Sequence, residues 1–173
     1  MLITQQKKTP TVATLKGIPN GGAGIRATLR VMVKLVNDGK KNIDNREIAL
    51  SIVKNLPPKC WVCEAKAIQQ FIFNNIRYTR DIDGIETVAT PEKTLEYGQG
   101  DCDDMAVLAA TLLQTIGHPV RFIAVGFNGK PVSHVLLETL IGSRWTPMEL
   151  TENLPFGVYP ANITRKQVAK IKL

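Results

Sequence analysis

From residue 25 to residue 36 the apolar positions Ile25, Leu29, Val31, Met32, Leu35 and Val36 return at helical intervals, and Asn37-Asp38-Gly39 breaks the run. This predicts a first helix. Asn42 to Asn45 offers capping side chains for a second, carried by Ile48, Leu50, Ile52 and Val53 and stopped by Leu56-Pro57-Pro58. A third is expected over 61–76, with Ala65, Ile68, Phe71, Ile72 and Ile76 on its inner face. Residues 78–100 show no period and read as a long irregular loop, which in a compact domain tends to carry function. Helical spacing returns over 101–117 through Met105, Leu108, Ala109, Leu112, Leu113 and Ile116, with Gly117 as the stop. Beyond Pro119 the pattern becomes short β-branched and aromatic runs at 120–127, 132–141 and 144–148, separated by Asn128-Gly129 and Gly142-Ser143. These predict three antiparallel strands.

The expected fold is therefore α+β: N-terminal helices, a helix that begins at a cysteine, then an antiparallel sheet. Residues 1–24, with Pro10, Pro19 and Asn20-Gly21-Gly22-Ala23-Gly24, read as an extended arm, either a linker or a docking strand. Residues 25–160 form one domain, with a helical part over 25–77 and a core over 78–151; residues 161–173 read as a basic tail. The 173 residues, 44% of them hydrophobic, suffice for one sizeable core.

Charge adds one feature. Residues 1–60 hold eleven Lys and Arg against three acidic side chains, whereas 61–160 hold seven against twelve. Basic ends around an acidic middle suit an acidic partner, but interleaving with apolar residues fits a solvated helix face better. No aromatic residues alternate with the basic ones to stack bases, which argues against nucleic acid. No apolar run is long enough for a membrane span, and the start lacks a signal-peptide core, so a cytoplasmic protein is expected. Three cysteines, an odd and low number, fit reduced thiols there.

One of them has chemical promise. Cys102 stands in Gly98-Gln99-Gly100-Asp101-Cys102-Asp103-Asp104, at a predicted helix start, where the helix dipole favours a thiolate and flanking glycines let substrate approach the backbone. The three aspartates oppose this by raising the thiol pKa, so activation must lean on an imidazole. His118 lies sixteen residues along the same helix, roughly 24 Å away at ~1.5 Å per residue, and is excluded. His134 lies in the second predicted strand, and Glu149 closes the third, where it could orient the ring. Taken alone, the three residues fit buried structural roles better. Cys60-Trp61-Val62-Cys63 lacks a second pair for zinc and a preceding strand for a redox motif, so helix-start packing is expected. Asp81-x-Asp83-Gly84 misplaces the glycine of a calcium loop and reads as a turn. No metal or cofactor is implied.

Three stretches together resemble the transglutaminase-like superfamily, in the compact form found in bacteria and phages. They are the Gly-x-Gly-Asp-Cys-Asp-Asp helix start running on to Gly117-His118-Pro119-Val120-Arg121, a strand histidine, and Trp145-Thr146-Pro147-Met148-Glu149-Leu150-Thr151. Ile76-Arg77-Tyr78 and Pro91-Glu92-Lys93-Thr94-Leu95 also resemble the family's approach to the cysteine. The resemblance implies a papain-like fold and a Cys, His, Asp triad, mapping to Cys102, His134 and Glu149, with Glu where Asp is usual. It implies acyl transfer on a protein or peptide amide, as a peptidase or amidase, a transamidase or deamidase, or a binding protein that keeps the fold without activity. Hydrolysis ranks ahead of crosslinking, since nothing reads as a second domain presenting an amine. The Cys102 N–H is the expected first oxyanion donor, with Gln99 and Tyr97 as candidates for a second. Trp145, like Trp61, is a candidate core or cleft wall.

Overall fold

The computed structural model describes residues 11–15, 21–80 and 86–172. In chain order the elements are β1 (Val12–Leu15), α1 (Gly22–Gly39), α2 (Ile43–Val53), α3 (Trp61–Asn75), β2 (Arg77–Tyr78), β3 (Glu86–Ala89), α4 (Pro91–Tyr97), β4 (Gln99–Gly100), α5 (Cys102–Thr115), β5 (Val120–Phe127), β6 (His134–Ile141), β7 (Arg144–Met148) and β8 (Ile163–Lys170). The architecture is α+β.

At the centre stands α5. Every residue from Asp103 to Thr115 is buried, as expected for a helix apolar on all sides. Leu108, Leu112 and Leu113 lose all exposure, and each such burial is worth about 1.5–3 kcal/mol. On one side α1, α2, α3 and α4 pack against it; on the other lie Phe122, Ala124, Leu137 and Met148 of the sheet. Gly39, at the end of α1, sits so close to Thr111 and Pro91 that a Cβ would meet them at 3.0–3.1 Å. Basic residues of α2 and of the link before it are drawn into this packing. Arg46 donates to the Thr115 carbonyl, and the Lys40 ammonium donates to Gln114 Oε1 and to the Lys172 carbonyl. A guanidinium on the last carbonyls of α5 also complements the negative end of its dipole.

The sheet is antiparallel, in the order β7-β6-β5-β8. Asn128 and Gly129 both have positive φ, 52° and 77°, the requirement of a type I′ turn, and the Lys130 N–H closes it on the Phe127 carbonyl. A Cβ on Gly126 would lie 2.7 Å from the Lys130 carbonyl oxygen, so only glycine lets the chain fold back here.

Three expectations change. Residues 78–100 are not an irregular loop: β3, α4 and β4 occupy much of them, and residues 81–85, including the turn read at Asp81-x-Asp83-Gly84, lie outside the described residues. The short α4 has its own signals, for Thr90 caps it by accepting from the Lys93 N–H, Pro91 opens it, and Gly98 closes it at φ 60°. The span 161–173 is not a tail, because β8 adds a fourth strand to the sheet by pairing with β5. Of the arm read over 1–24, Val12–Leu15 pairs antiparallel with β3 and Gly22 onward belongs to α1; residues 1–10 and 16–20 lie outside the described residues.

The cysteines differ too. Cys60 and Cys63 are joined in a disulfide at the start of α3, where reduced thiols were expected, leaving Cys102 as the free thiol. Spacing of this kind closes across one helical turn once the first Cys stands at the N-cap position, as Cys60 does. Among the described residues no helix is long and apolar enough to cross a membrane.

Candidate active site

The run from Gly98 to Asp104 is a tightly fastened helix start. Gly98, in the left-handed conformation, turns the chain out of α4 and its carbonyl accepts from the Arg77 N–H. Gln99 and Gly100 then pair in parallel with Arg77 and Tyr78. Asp101 is the N-cap of α5: its Oδ1 accepts from the N–H groups of Asp103, at 2.9 Å, and Asp104, at 3.1 Å. Asp104 reciprocates by accepting the Asp101 N–H and also takes the Ala89 N–H at 2.7 Å, so it ties the helix start to β3. This is a capping box with acids at both ends. Gly100 is obligatory beside it, since a Cβ there would come within 2.6 Å of Asp104 Cβ.

Cys102 is the first residue of α5 and half-buried. Its sulfur lies 3.5 Å from Asp103 Oδ1 and meets the backbone N–H of Val135, the residue that follows His134 in β6. Burial pushes the thiol pKa well up, and the carboxylates of Asp103 and Asp101 push it further, against the smaller downward pull of the Val135 N–H. Burial first, then Asp103 and Asp101, thus favour a neutral resting thiol.

On the facing hairpin, where His134 opens β6 and Glu149 follows the end of β7, His134 Nε2 donates to Glu149 Oε2 at 2.8 Å. The half-buried ring also lies against Phe127, with centroids 6.1 Å apart. Glu149 is fully buried, and its other oxygen accepts from the N–H groups of Leu150 and Thr151 and from the Thr151 hydroxyl, at 2.8–2.9 Å. Burial alone would raise this carboxyl's pKa. The hydrogen bond and charge attraction from His134, with the bonds from Thr151, outweigh it and hold the pKa below the usual value. An ionised acid that receives the Nε2 proton leaves Nδ1 as the basic nitrogen of the ring.

The remaining residues singled out in the sequence are dispersed. Gln99, in β4, accepts from the Arg77 guanidinium at 2.6 Å. Tyr97 is 56% exposed at the end of α4, with the Lys93 ammonium 4.2 Å above its ring. Trp145 stands apart from the Cys102 and His134 pair. It pairs with Leu140, six residues from His134 along β6 and so roughly 20 Å away at ~3.3 Å per residue, and it stacks under Arg121. Arg121 in turn bonds Glu138, which Tyr159 also reaches with its hydroxyl. His118 lies buried near the far end of α5, its Nε2 2.7 Å from Glu64 and its ring 4.7 Å from that of Trp61, which is 42% exposed.

Three contributors escaped sequence reasoning. The Thr151 hydroxyl stands in the quoted Trp145–Thr151 motif, but nothing in the motif says that it bonds Glu149. Gln69 of α3 donates to the Glu149 carbonyl, and the Val135 N–H reaches the Cys102 sulfur; both contacts involve main-chain atoms distant in sequence, which side-chain patterns do not reveal.

The transglutaminase-like superfamily profile matches residues 46–150, from α2 to the residue after Glu149. No curated protein matches the chain by sequence. Among solved structures, a candidate protease from Parabacteroides distasonis superposes with a TM-score of 0.56 at 12% identity, over 72% of this chain and 26% of its own. A candidate cysteine protease from Cytophaga hutchinsonii gives 0.52 at 17% identity, over 74% of this chain and 51% of its own. The likeness is one of fold, and the chain spans about a quarter and about half the length of these two proteins.

Proposed function

The chain belongs to the transglutaminase-like superfamily, and on that premise we propose that it is a thiol-dependent acyl-transfer enzyme acting on amide bonds, as a cysteine peptidase or amidase. The observation that carries this reading is the 2.8 Å bond from His134 to a buried, ionised Glu149, on the strand whose next amide meets the Cys102 sulfur. The names of the two similar structures support hydrolysis over amine transfer.

In this mechanism His134 Nδ1 takes the thiol proton as the sulfur attacks the amide carbonyl. The proton moves within the reaction, because the resting thiol is neutral. The Cys102 N–H, at the open end of α5, donates to the oxyanion. The imidazolium, stabilised by Glu149, then protonates the leaving amine as the C–N bond breaks, giving a thioester on Cys102. Water attacks the thioester, His134 removes its proton, and the acid and thiol are released. An amine in place of water gives transamidation by the same steps.

A second reading has an observation in its favour: Asp101, Asp103 and burial all disfavour the thiolate, as suits a binding or assembly protein that retains the fold. Iodoacetamide separates the two. Catalytic pairing predicts alkylation of Cys102 near neutral pH that falls at least tenfold in His134→Ala; equal rates in both proteins rule out the enzyme. A peptide library quenched in acid, with mass spectrometry of acyl groups held on Cys102, then identifies the substrate class.

A further inference from the structure

We infer that Gln69, on α3, is a positioning residue that sets the orientation of Glu149 and, through it, the tautomer of His134. This rests on the catalytic reading above. The carboxylate end of Glu149 is held by its own turn and by His134, but its main chain lies in residues 149–155, which form no helix or strand. Leu150, buried in the core, anchors the segment by its side chain, and something must also fix its carbonyls against the rest of the protein. The Gln69 amide does so, its Nε2 donating to the Glu149 carbonyl at 2.8 Å and to the Leu154 carbonyl at 3.3 Å. An amide nitrogen has two protons, and both are used here.

The consequence follows from geometry. These two bonds draw the ends of a six-residue turn onto one point of α3, a helix held in turn against α5 through buried Ala65, Ile68 and Ile72. The turn therefore inherits the rigidity of the helical core. Glu149 presents Oε2 to His134 only while its backbone keeps this orientation, since Oε1 is committed to Leu150 and Thr151. A groove of about 310 Å³ opens beside the staple, between Lys66, Gln70 and Phe73 on α3 and Leu154 and Phe156 on the turn. Leu150 packs the turn on the core and Phe156 packs just beyond it, and the amide adds a direct tie from the turn's carbonyls to α3.

Two substitutions test this. Gln69→Met keeps the length and removes both donors; Gln69→Lys keeps a donor of similar reach. The readouts are the alkylation rate of Cys102 and the His134 tautomer, read from imidazole nitrogen chemical shifts, with thermal melting alongside. The Met protein is expected to alkylate roughly tenfold more slowly, the scale of a small misplacement in a catalytic constellation, and to lose the pure Nε2–H tautomer. The Lys protein is expected to recover both to within about twofold. If the Met variant does not fold, Gln69→Glu, which swaps the donors for acceptors, is expected to show the same loss. Wild-type rate and tautomer in the Met protein, or equal losses in Met and Lys, overturn the inference. Insensitivity of alkylation to His134→Ala would instead overturn the enzyme reading itself, so the two failures are distinguishable.

Discussion

Replacing Glu149 by Gln is the sharpest perturbation of the site, because it changes charge and hydrogen-bond polarity with almost no change of shape. In the native protein the Glu149 carboxylate accepts four hydrogen bonds, three from its own turn and one from His134. A Gln carbonyl oxygen in the Oε1 position still accepts all three turn bonds. The amide nitrogen then faces His134 Nε2, donor against donor. The ring can respond only by giving up its Nε2 proton and carrying it on Nδ1, the nitrogen that must receive the thiol proton. The stability cost is that of one charge-assisted hydrogen bond, about 1.5–3 kcal/mol, whereas a wrong tautomer costs on the order of 10⁴ in kcat where the same exchange has been made in serine triads. The assay is single-turnover acylation of Cys102 by an activated ester and by an amide, with melting curves in parallel. Turnover of the amide should collapse while the protein stays folded. An amide rate within tenfold of wild type in a folded Glu149→Gln protein would refute the claim that Glu149 acts by fixing the tautomer.

Other outcomes follow from the same geometry. Glu149→Asp, although it restores the acid usual in the superfamily, should slow acylation roughly tenfold, because a shorter chain cannot hold both the Leu150 and Thr151 donors and His134; stopped-flow acylation checks it. Gly100→Ala drives a Cβ into Asp104 at 2.6 Å and should destabilise by about 1–3 kcal/mol, measured by urea denaturation. The raised thiol pKa of Cys102 means that the folded protein keeps a proton the unfolded chain releases. Its stabilisation is full below the pKa of a free thiol and is lost as pH rises toward the folded value, so alkaline melting should be steeper in wild type than in Cys102→Ala. Glu149 is the opposite case: its lowered pKa gives stability that is present above the ordinary carboxylate range and lost as pH falls through the folded value, and Glu149→Gln should flatten the acid limb of the same stability curve.

Legibility in the sequence followed the range of the interactions. The apolar faces of α1 and α3, the cap at Asp101 and the Asn128-Gly129 turn arise from neighbours within a few residues, and each could be read. The short α4 has too few residues for a period to emerge, although Thr90, Pro91 and Gly98 mark its ends. β8 was hidden by Arg165, Lys166 and Lys170, which are what an edge strand shows to solvent and what a tail shows as well. The pairing of His134 with Glu149 could be anticipated because they lie at the open ends of the two arms of one hairpin. Trp145 belongs to the same motif, but it stands two residues after the Gly142-Ser143 turn, so its place at the hairpin end away from His134 was legible as well. Gln69 was invisible for a firmer reason: it binds carbonyl oxygens 80 and 85 positions away, and every residue has one.

The burial of α5 beyond its first residue separates what selection for architecture preserves from what selection for chemistry preserves. Gly100, Asp101 and Asp104 would be retained in a descendant that no longer turned anything over, since without them the central post of the molecule loses its footing. The bond between an imidazole and a buried acid contributes only about 1.5–3 kcal/mol, so architecture holds it far less firmly than chemistry does. Among chains that share this helix start, the state of the His134 and Glu149 positions is therefore the mark by which working enzymes can be sorted from scaffolds.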